Sequence, residues 1–399
     1  MNELSTTLGA MCSHIVDCEH KTAPIDANGD CFAVGTPAMR DNAINYAQAR
    51  RISRDTYSKW TKRLVPQLGD LLFAREAPVG PVVRLPELLN VAPGQRTVLL
   101  RPDRSIVEPR YLYYLMTSAV IQSLIQEYTA GSTVAHLNVA DVRNLPLPIL
   151  PELAEQRKVA AVMGALDDKI AANARISDTS MSLVDAKFES SLRLGTAAED
   201  TFGALAEVGG GGTPSTADPI LWGGVVAWAT PTDVTALRGP YLRSTSRTIS
   251  DEGLAACTSP MYPIGSILMT SRATIGAFAI AERSVAVNQG FIVVNARPPM
   301  SQWWLFHQMR MRVPEFLSHA NGATFLELSR GRFKQLPVWL SDTAVMSEFH
   351  AFADAIHQRA SAANRENTRL AELREALLPE LMSGRLRVKD AERILEGAV

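Results

Sequence analysis

Four cysteines in 399 residues are too few for a disulfide framework. Cys12, Cys18 and Cys31 fall near one another and near His14 and His20, but no Cys-x-x-Cys hook joins them. That spacing argues for buried thiols and a loop histidine rather than a zinc site. No apolar run approaches the roughly 18 residues of a membrane span. The opening Met1-Asn2-Glu3-Leu4-Ser5 has no basic stretch leading into an apolar one, so no membrane association and a cytoplasmic location are expected. Net charge is −1, which provides no global field for a polyanion, so any nucleic-acid partner must be met by local clusters. Hydrophobic residues at 46% with 20% charged place the chain among soluble globular proteins, and its length calls for several structural units.

Catalytic signatures are also missing. There is no Gly-Lys-Ser/Thr phosphate loop, no Asn/Asp-Pro-Pro-Tyr tetrapeptide and no Gly-x-Ser-x-Gly elbow. Gly209 to Gly212 is followed by Thr213-Pro214 where a dinucleotide fingerprint would open a helix, so it reads as a flexible or positive-φ loop. Asp167-Asp168-Lys169 is contiguous on a helical pattern and cannot converge on one metal, so these are expected to be surface charges. No catalytic site, metal or cofactor is expected in this chain.

What the chain does have is a copy of itself. Gly69-Asp70-Leu71-Leu72-Phe73 with Val79-Gly80 recurs as Gly265-Ser266-Ile267-Leu268-Met269 with Ile275-Gly276. Val91 and Gly94 fall on Val287 and Gly290 at the same offset of 196. Gly131-Ser132-Thr133, Leu137 and Leu145-Pro146 recur as Gly322-Ala323-Thr324, Leu328 and Leu336-Pro337 at an offset of 191. Short branched runs such as Thr97 to Leu100 and Phe291 to Val294 predict strands, and Arg110 to Tyr128 and Met300 to Ser318 predict helices. The fold class is therefore α+β: two tandem modules with mainly antiparallel sheets, related by a pseudo-two-fold repeat.

Each module is followed by a helical stretch. Pro151 to Leu194 has no internal proline, and Val159, Val162, Met163, Leu166, Ile170, Leu183, Val184, Phe188 and Leu192 recur largely at helical spacing, as one helix or a pair. Ile356, Ala363, Leu370 and Leu377 form a sevenfold series, with Ala360, Asn367 and Leu381 close to a second. Gly195 and Gly384 stand where helix caps belong. The two stripes are expected to bury against each other in an antiparallel coiled coil, with Asn173 and Asn364 or Asn367 fixing register; the alternative is that each packs on its own module. The expected domains are 1-150, a helical spacer 151-195, a second module 196-340 and a second spacer 341-390. A straight helix from Ile170 to Arg193 would run about 36 Å, close to one turn of DNA, so two modules on such a ruler suit a two-part site with an unread middle.

Basic residues cluster from Arg40 to Arg63 (Arg40, Arg50, Arg51, Arg54, Lys59, Lys62, Arg63) and from Arg310 to Lys334 (Arg310, Arg312, Arg330, Arg332, Lys334). Phosphates accept any Arg or Lys, and base edges favour Arg, Lys, Asn, Gln, Ser and Thr. The candidate DNA-binding residues are Arg40, Arg75, Ser132, Thr133 and Asn138 in the first module, and Thr232, Ser271, Arg272, Thr274, Thr324 and Arg330 in the second. Lys62, Arg63 and Arg332 are the candidate phosphate contacts. A duplicated coiled-coil adaptor that binds protein and not DNA is the competing class, and a nuclease ranks third.

Several segments resemble the specificity subunits of Type I restriction-modification systems, and the resemblance covers nearly the whole chain. Leu145-Pro146-Leu147-Pro148, Glu155-Gln156-Arg157-Lys158-Val159-Ala160 and Leu166-Asp167-Asp168-Lys169-Ile170 look like that family's central conserved region. Asp17-Cys18-Glu19-His20-Lys21-Thr22 is similar to an opening of its first target-recognition domains. Gly211-Gly212-Thr213-Pro214-Ser215 with Trp222-Gly223-Gly224 and Trp228 is similar to another such opening. Leu377-Leu378-Pro379-Glu380-Leu381-Met382-Ser383-Gly384-Arg385-Leu386 resembles its closing helix, whereas Ser347-Glu348-Phe349-His350 departs from the Glu-Gln-Arg-Lys pattern. The resemblance implies two target-recognition domains that each read half of a split, asymmetric double-stranded DNA site. It further implies two partner methyltransferase (M) subunits that bind S-adenosylmethionine and methylate adenine, and partner restriction (R) motor-nuclease subunits that use ATP and Mg. This chain itself would bind no cofactor.

Overall fold

The computed structural model of the chain describes residues 4–86, 90–129, 136–194, 199–297, 301–322 and 326–398. Their contacts divide the chain into two compact units, 1–168 with 370–399 and 169–369. Among the described residues no helix is long and apolar enough to cross a membrane.

In the first unit Leu71–Arg75 is buried at every position, which an apolar strand tolerates only when covered on both faces. It lies inside an antiparallel sheet of order Cys12–Asp17, Thr97–Pro102, Leu71–Arg75, Val79–Arg84. A second sheet runs Arg50–Ile52, Cys31–Val34, Val91–Pro93, its first pair antiparallel and its second parallel. The helix Arg54–Trp60, capped by the Ser53 hydroxyl, closes over Ala23, Cys31, Ile52 and Ala92. Leu4–Thr7 returns to pair with Pro146–Pro148, and the Leu8 N–H donates to the Leu145 carbonyl at 2.9 Å.

The second unit repeats this plan. Ala206–Gly209, Phe291–Ala296, Ile267–Thr270, Phe278–Ala281 and Tyr241–Leu242 form one sheet, parallel only in its last pair. Arg247–Ile249, Trp222–Ala229 and Ala286–Val287 form the other. Glu199–Thr201 pairs with Pro337–Trp339, and the Phe202 N–H donates to the Leu336 carbonyl at 3.1 Å.

Three sequence expectations change in detail. The glycine match at an offset of 196 does not survive past the central hairpin: Gly94 donates to Val34 where Asn288 donates to Ala229, and Arg96 accepts from Arg75 where Gly290 accepts from Ser271. The true equivalence there is two residues shorter, so Gly94 matches Asn288 and not Gly290. Arg110 to Tyr128 is two helices, Pro109–Thr117 and Ala119–Thr129, because Ser118 is extended and its carbonyl and hydroxyl cap both ends. The counterpart breaks at Arg312 into Gln302–Met311 and Val313–Ser318, where Pro314 has no N–H to continue the ladder; Met300 lies outside the described residues. Gly209 to Gly212 are not in the positive-φ region. They are small because other atoms sit where a side chain would be: a Cβ on Gly211 would come within 1.8 Å of the Val287 oxygen.

The segment after the first module is one helix, Leu153–Leu194, and that after the second is Thr343–Met382. Gly195 lies outside the described residues, while Gly384 takes the expected cap conformation at φ 72°. Within the second unit Lys187 meets Glu348 at 2.7 Å, the Asn364 amide donates to the Ser177 hydroxyl at 3.2 Å, and the Asn367 amide to the Ile170 carbonyl at 3.1 Å. Numbers rising on one helix meet numbers falling on the other, so the pair is antiparallel. Asn173 is 2% exposed and donates not to another asparagine but to Glu366 at 2.8 Å, which also takes Lys169 at 3.2 Å. The same helices also pack on their module: Val184 and Phe188 join Trp304, Phe349 and Ala353 in one cluster. Within the first unit Asp167 accepts from Tyr114 at 2.6 Å and Arg374 at 3.1 Å, and Asp168 from Arg110 at 2.5 Å. Asp167 is therefore a packing device, whereas Asp168 is the exposed surface charge expected, paired with Arg110.

One polar chain fastens the second module to its helices. Tyr241 O–H donates to His357 Nδ1 at 2.8 Å, His357 and His307 share a hydrogen bond between their Nε2 atoms at 2.8 Å, and His307 Nδ1 meets Asp185 at 2.6 Å. The consistent assignment has both imidazoles neutral, each donating toward Asp185. The Tyr241 hydroxyl also reaches the His357 carbonyl at 3.2 Å, and a proton added to His307 would set its Nε2–H against that of His357 unless His357 moved its own proton to Nδ1. Burial pushes both histidines down, His357 to about 2, while hydrogen bonds from His307 and Arg310 outweigh the burial of Asp185 and hold its carboxyl at about 2. Because the unfolded histidines bind protons more readily, stability is fully present above the ordinary histidine pKa near 6.5 and falls below it. Chemical denaturation of the full chain should lose about 1.4 kcal/mol per pH unit per net proton between pH 6.5 and 5. His357→Leu should flatten that slope; an unchanged slope would contradict the neutral chain.

Candidate nucleic-acid interface

In the second unit the strand Ile267–Thr270 ends in a loop that holds three of the sequence candidates. Ser271 is buried, its N–H on Gly290 and its carbonyl accepting from Leu328. Ala273 sits at φ 58°, and this turn puts Arg272 and Thr274 on the exposed side. Arg272 pairs with Glu327 at 2.8 Å, both about half exposed. Thr232 rides on the helix Pro231–Thr235, whose capping box runs through Asp233. That carboxylate accepts from Thr230 and Ser246 at 2.7 Å, and these bonds outweigh its burial to hold it below the usual range. Arg330 opens the helix Arg330–Gln335, which the Ser329 hydroxyl caps.

These residues converge. One surface hollow is lined by Thr232, Arg272, Thr274 and Gln289, and another by Ser271, Arg272, Gln289, Arg330 and Lys334. Arg330 and Lys334 have no ionic partner among the described residues, which leaves two free cations beside a polar floor. Arg332 stands apart with its guanidinium on the His319 ring at 3.2 Å, and Thr324 lies outside the described residues.

The first unit uses the same backbone differently. Arg75 occupies the place of Ser271, but it is 8% exposed, bonded to Asp17 at 3.2 Å and to the Leu137 carbonyl at 3.3 Å. Its fork is spent on holding the loop, so it leaves the set of available readers. Glu76 stands where Arg272 stands and pairs with Arg96 at 3.4 Å, and Ala77 repeats the positive φ of Ala273. Asn138 caps the helix Val139–Asn144 through a capping box with Asp141 and is exposed. Ser132 and Thr133 lie outside the described residues. Arg40, Arg50, Arg51, Lys59 and Lys62 are exposed and free of partners among the described residues. Arg54 is tied to Asp30 at 2.8 Å, and Arg63 to the Asp17 carbonyl at 3.3 Å. In the second basic cluster Arg310 is tied to Asp185 at 3.0 Å, and Arg312, buried against Trp339, is held by Glu315 at 2.7 Å, so both are structural.

The cysteine and histidine group at the start of the chain does not gather: His20 turns to Asp17 at 3.0 Å, His14 to Ser13 at 3.1 Å, and burial pushes the Cys12 thiol up to about 12. Gln289 and its first-module equivalent Gln95 were missed by sequence reasoning, because aligning Gly94 with Gly290 puts them out of register.

The profile of the Type I restriction modification DNA specificity domain matches residues 21–179 and again 200–342, together more than half of the chain. The chain belongs to this family. It is 33% identical over 136 residues to the Type I restriction enzyme MjaIX specificity subunit of Methanocaldococcus jannaschii, covering 34% of this chain and 32% of that one. It is 33% identical over 111 residues to the MjaX specificity subunit of the same organism, covering 26% of this chain and 25% of that one. The matched stretch thus spans about a third or less of those relatives' length. The solved S subunit of a Type I restriction-modification system from M. genitalium shares the fold, with a TM-score of 0.63 over 94% of this chain and 95% of that one at 14% identity.

Arg75→Leu should leave Asp17 with only His20 and the Cys18 N–H and the Leu137 carbonyl without its guanidinium, and cost about 2 kcal/mol in denaturant unfolding, whereas Lys62→Ala should leave stability within about 0.5 kcal/mol. An Arg75 variant of unchanged stability that lost only DNA affinity would return Arg75 to the reading surface.

Proposed function

We propose that this chain is the DNA-binding specificity subunit of a Type I restriction-modification complex and reads a bipartite, asymmetric duplex target, one half with each module. The observation that carries the proposal is that two modules of this family share one backbone frame yet present different side chains at the same place, Glu76 with Arg96 in one and Arg272 with Glu327 in the other. Equal frames suit equivalent docking, and unequal side chains suit unequal half-sites. The modules are assigned to 1–150 and 196–340, and the helical spacers to 151–195 and 341–390. The helix pair recruits two methyltransferase subunits, which supply S-adenosylmethionine chemistry at adenine, and restriction subunits add ATP- and Mg-dependent cleavage. The chain itself contributes address and not catalysis.

Arg40, Lys62, Arg330 and Lys334 are assigned to phosphates, together with the candidates Arg63 and Arg332, and Thr232, Arg272, Thr274 and Asn138 to base edges or sugar. Ser271 supports the loop from below. Ser132, Thr133 and Thr324 remain candidates at the neighbouring turns.

Duplex binding by the full chain should weaken steeply with salt, its logarithmic slope steeper by about 0.9 for each phosphate neutralised. Arg330→Ala should make the slope shallower by about 1 and weaken all sequences alike. No shift of duplex DNA at low salt, with helix-mediated protein binding intact, would favour a protein adaptor instead.

A further inference from the structure

Resting on the DNA-reading role proposed above, we infer that Gln95 and Gln289 are equivalent specificity-determining residues, each directing its amide N–H pair at its own half of the target, with Thr22 and Thr213 as their positioning residues. The same bond is built twice. The Thr22 hydroxyl donates to Gln95 Oε1 at 3.1 Å, and the Thr213 hydroxyl donates to Gln289 Oε1 at 2.6 Å. All four residues are exposed. Both glutamines hold the same place in the frame, one residue before the carbonyl that accepts from Arg75 or Ser271.

An exposed glutamine normally turns freely. Fixing its oxygen sets the plane of the amide and points the nitrogen away from the threonine, and neither nitrogen has a partner among the described residues. Such a bond is of no use to the fold in itself, since both partners would be satisfied by water. Its consequence is an oriented pair of donors on the surface. Gln289 and Arg272 line both hollows, with Thr232 and Thr274 in one and Arg330 and Lys334 in the other. The cations there suit phosphate, which leaves the amide for a base edge. A glutamine amide matches adenine in the major groove, donating to N7 and accepting from N6 with the second lone pair of Oε1.

The test uses the full chain and a duplex library with a randomised core of about three helical turns. Bound molecules are selected and sequenced. Wild type should enrich two blocks separated by unread positions. Gln289→Glu keeps the threonine bond but turns the outward donor into an acceptor. It should erase enrichment at one position of one block and weaken that duplex about tenfold, the size expected for one lost hydrogen bond to a desolvated partner. Gln95→Glu should do the same in the other block only, and Thr213→Val and Thr22→Val should blur those same positions less. Should either glutamate variant melt below wild type, the Gln→Ala variant carries the same prediction. Two blocks that survive both glutamine substitutions unchanged would overturn the inference while leaving the DNA-reading role intact. One substitution that blurs both blocks alike would overturn it too, as a general structural effect. A wild-type chain that enriches nothing would overturn the role and the inference together.

Discussion

In each module the residue at the end of the central strand, Arg75 or Ser271, is gripped by backbone from two sides. Arg75 donates to Arg96 at 3.0 Å and accepts from Leu137 at 2.9 Å; Ser271 donates to Gly290 at 2.8 Å and accepts from Leu328 at 3.0 Å. These bonds involve no side chain, so they fix the path of the loop whatever residues it carries. An alanine at positive φ then follows in both copies, at 47° and 58°. Everything proposed about reading depends on this grip, because it permits the exposed side chains to diverge without moving the frame. The duplication therefore preserves the frame and the Thr–Gln pair, while the side chains of the loop diverge.

The helices solve a different problem, which is to bury polar residues without leaving them unpaired. Asn173, His307 and His357 are each nearly inaccessible, and each finds a partner from another element of the same unit. Unpaired, any of them would cost more than an apolar residue in its place. Paired, they specify one register of helix on helix and of module on helix. Lys187 with Glu348 adds a charge pair at the exposed rim, where it contributes little to stability.

Much of this was legible in the sequence, for identifiable reasons. Long apolar periodicity exposed the two helices, and branched runs between glycines exposed the central strands, because burial enforces both patterns. Gly384 was readable as a cap because few other residues accept its φ. Three features were not legible. At Arg312 the role of the guanidinium was hidden: Pro314 marks the break, but the charge that looked free for phosphate is buried on Glu315 and Gln308. Arg75 looked like a reader because its charge was visible and its partner Asp17, 58 residues away, was not. The Thr–Gln pairs were hidden by a two-residue shortening between the glycines that anchored the alignment. In the candidate interface the second module was the more legible, since Thr232, Ser271, Arg272, Thr274 and Arg330 do converge, whereas the first presents its free cations from a strand and helix around Arg50 to Lys62.

The central claim is that two modules read two unequal half-sites. Single-molecule mapping of modified adenines in the source genome, with and without the gene for this chain, tests it most directly. The account predicts a motif of two different short blocks separated by a fixed gap of unspecified bases, lost when the gene is deleted. One uninterrupted motif dependent on this gene, or a gapped motif whose blocks are identical, would contradict it.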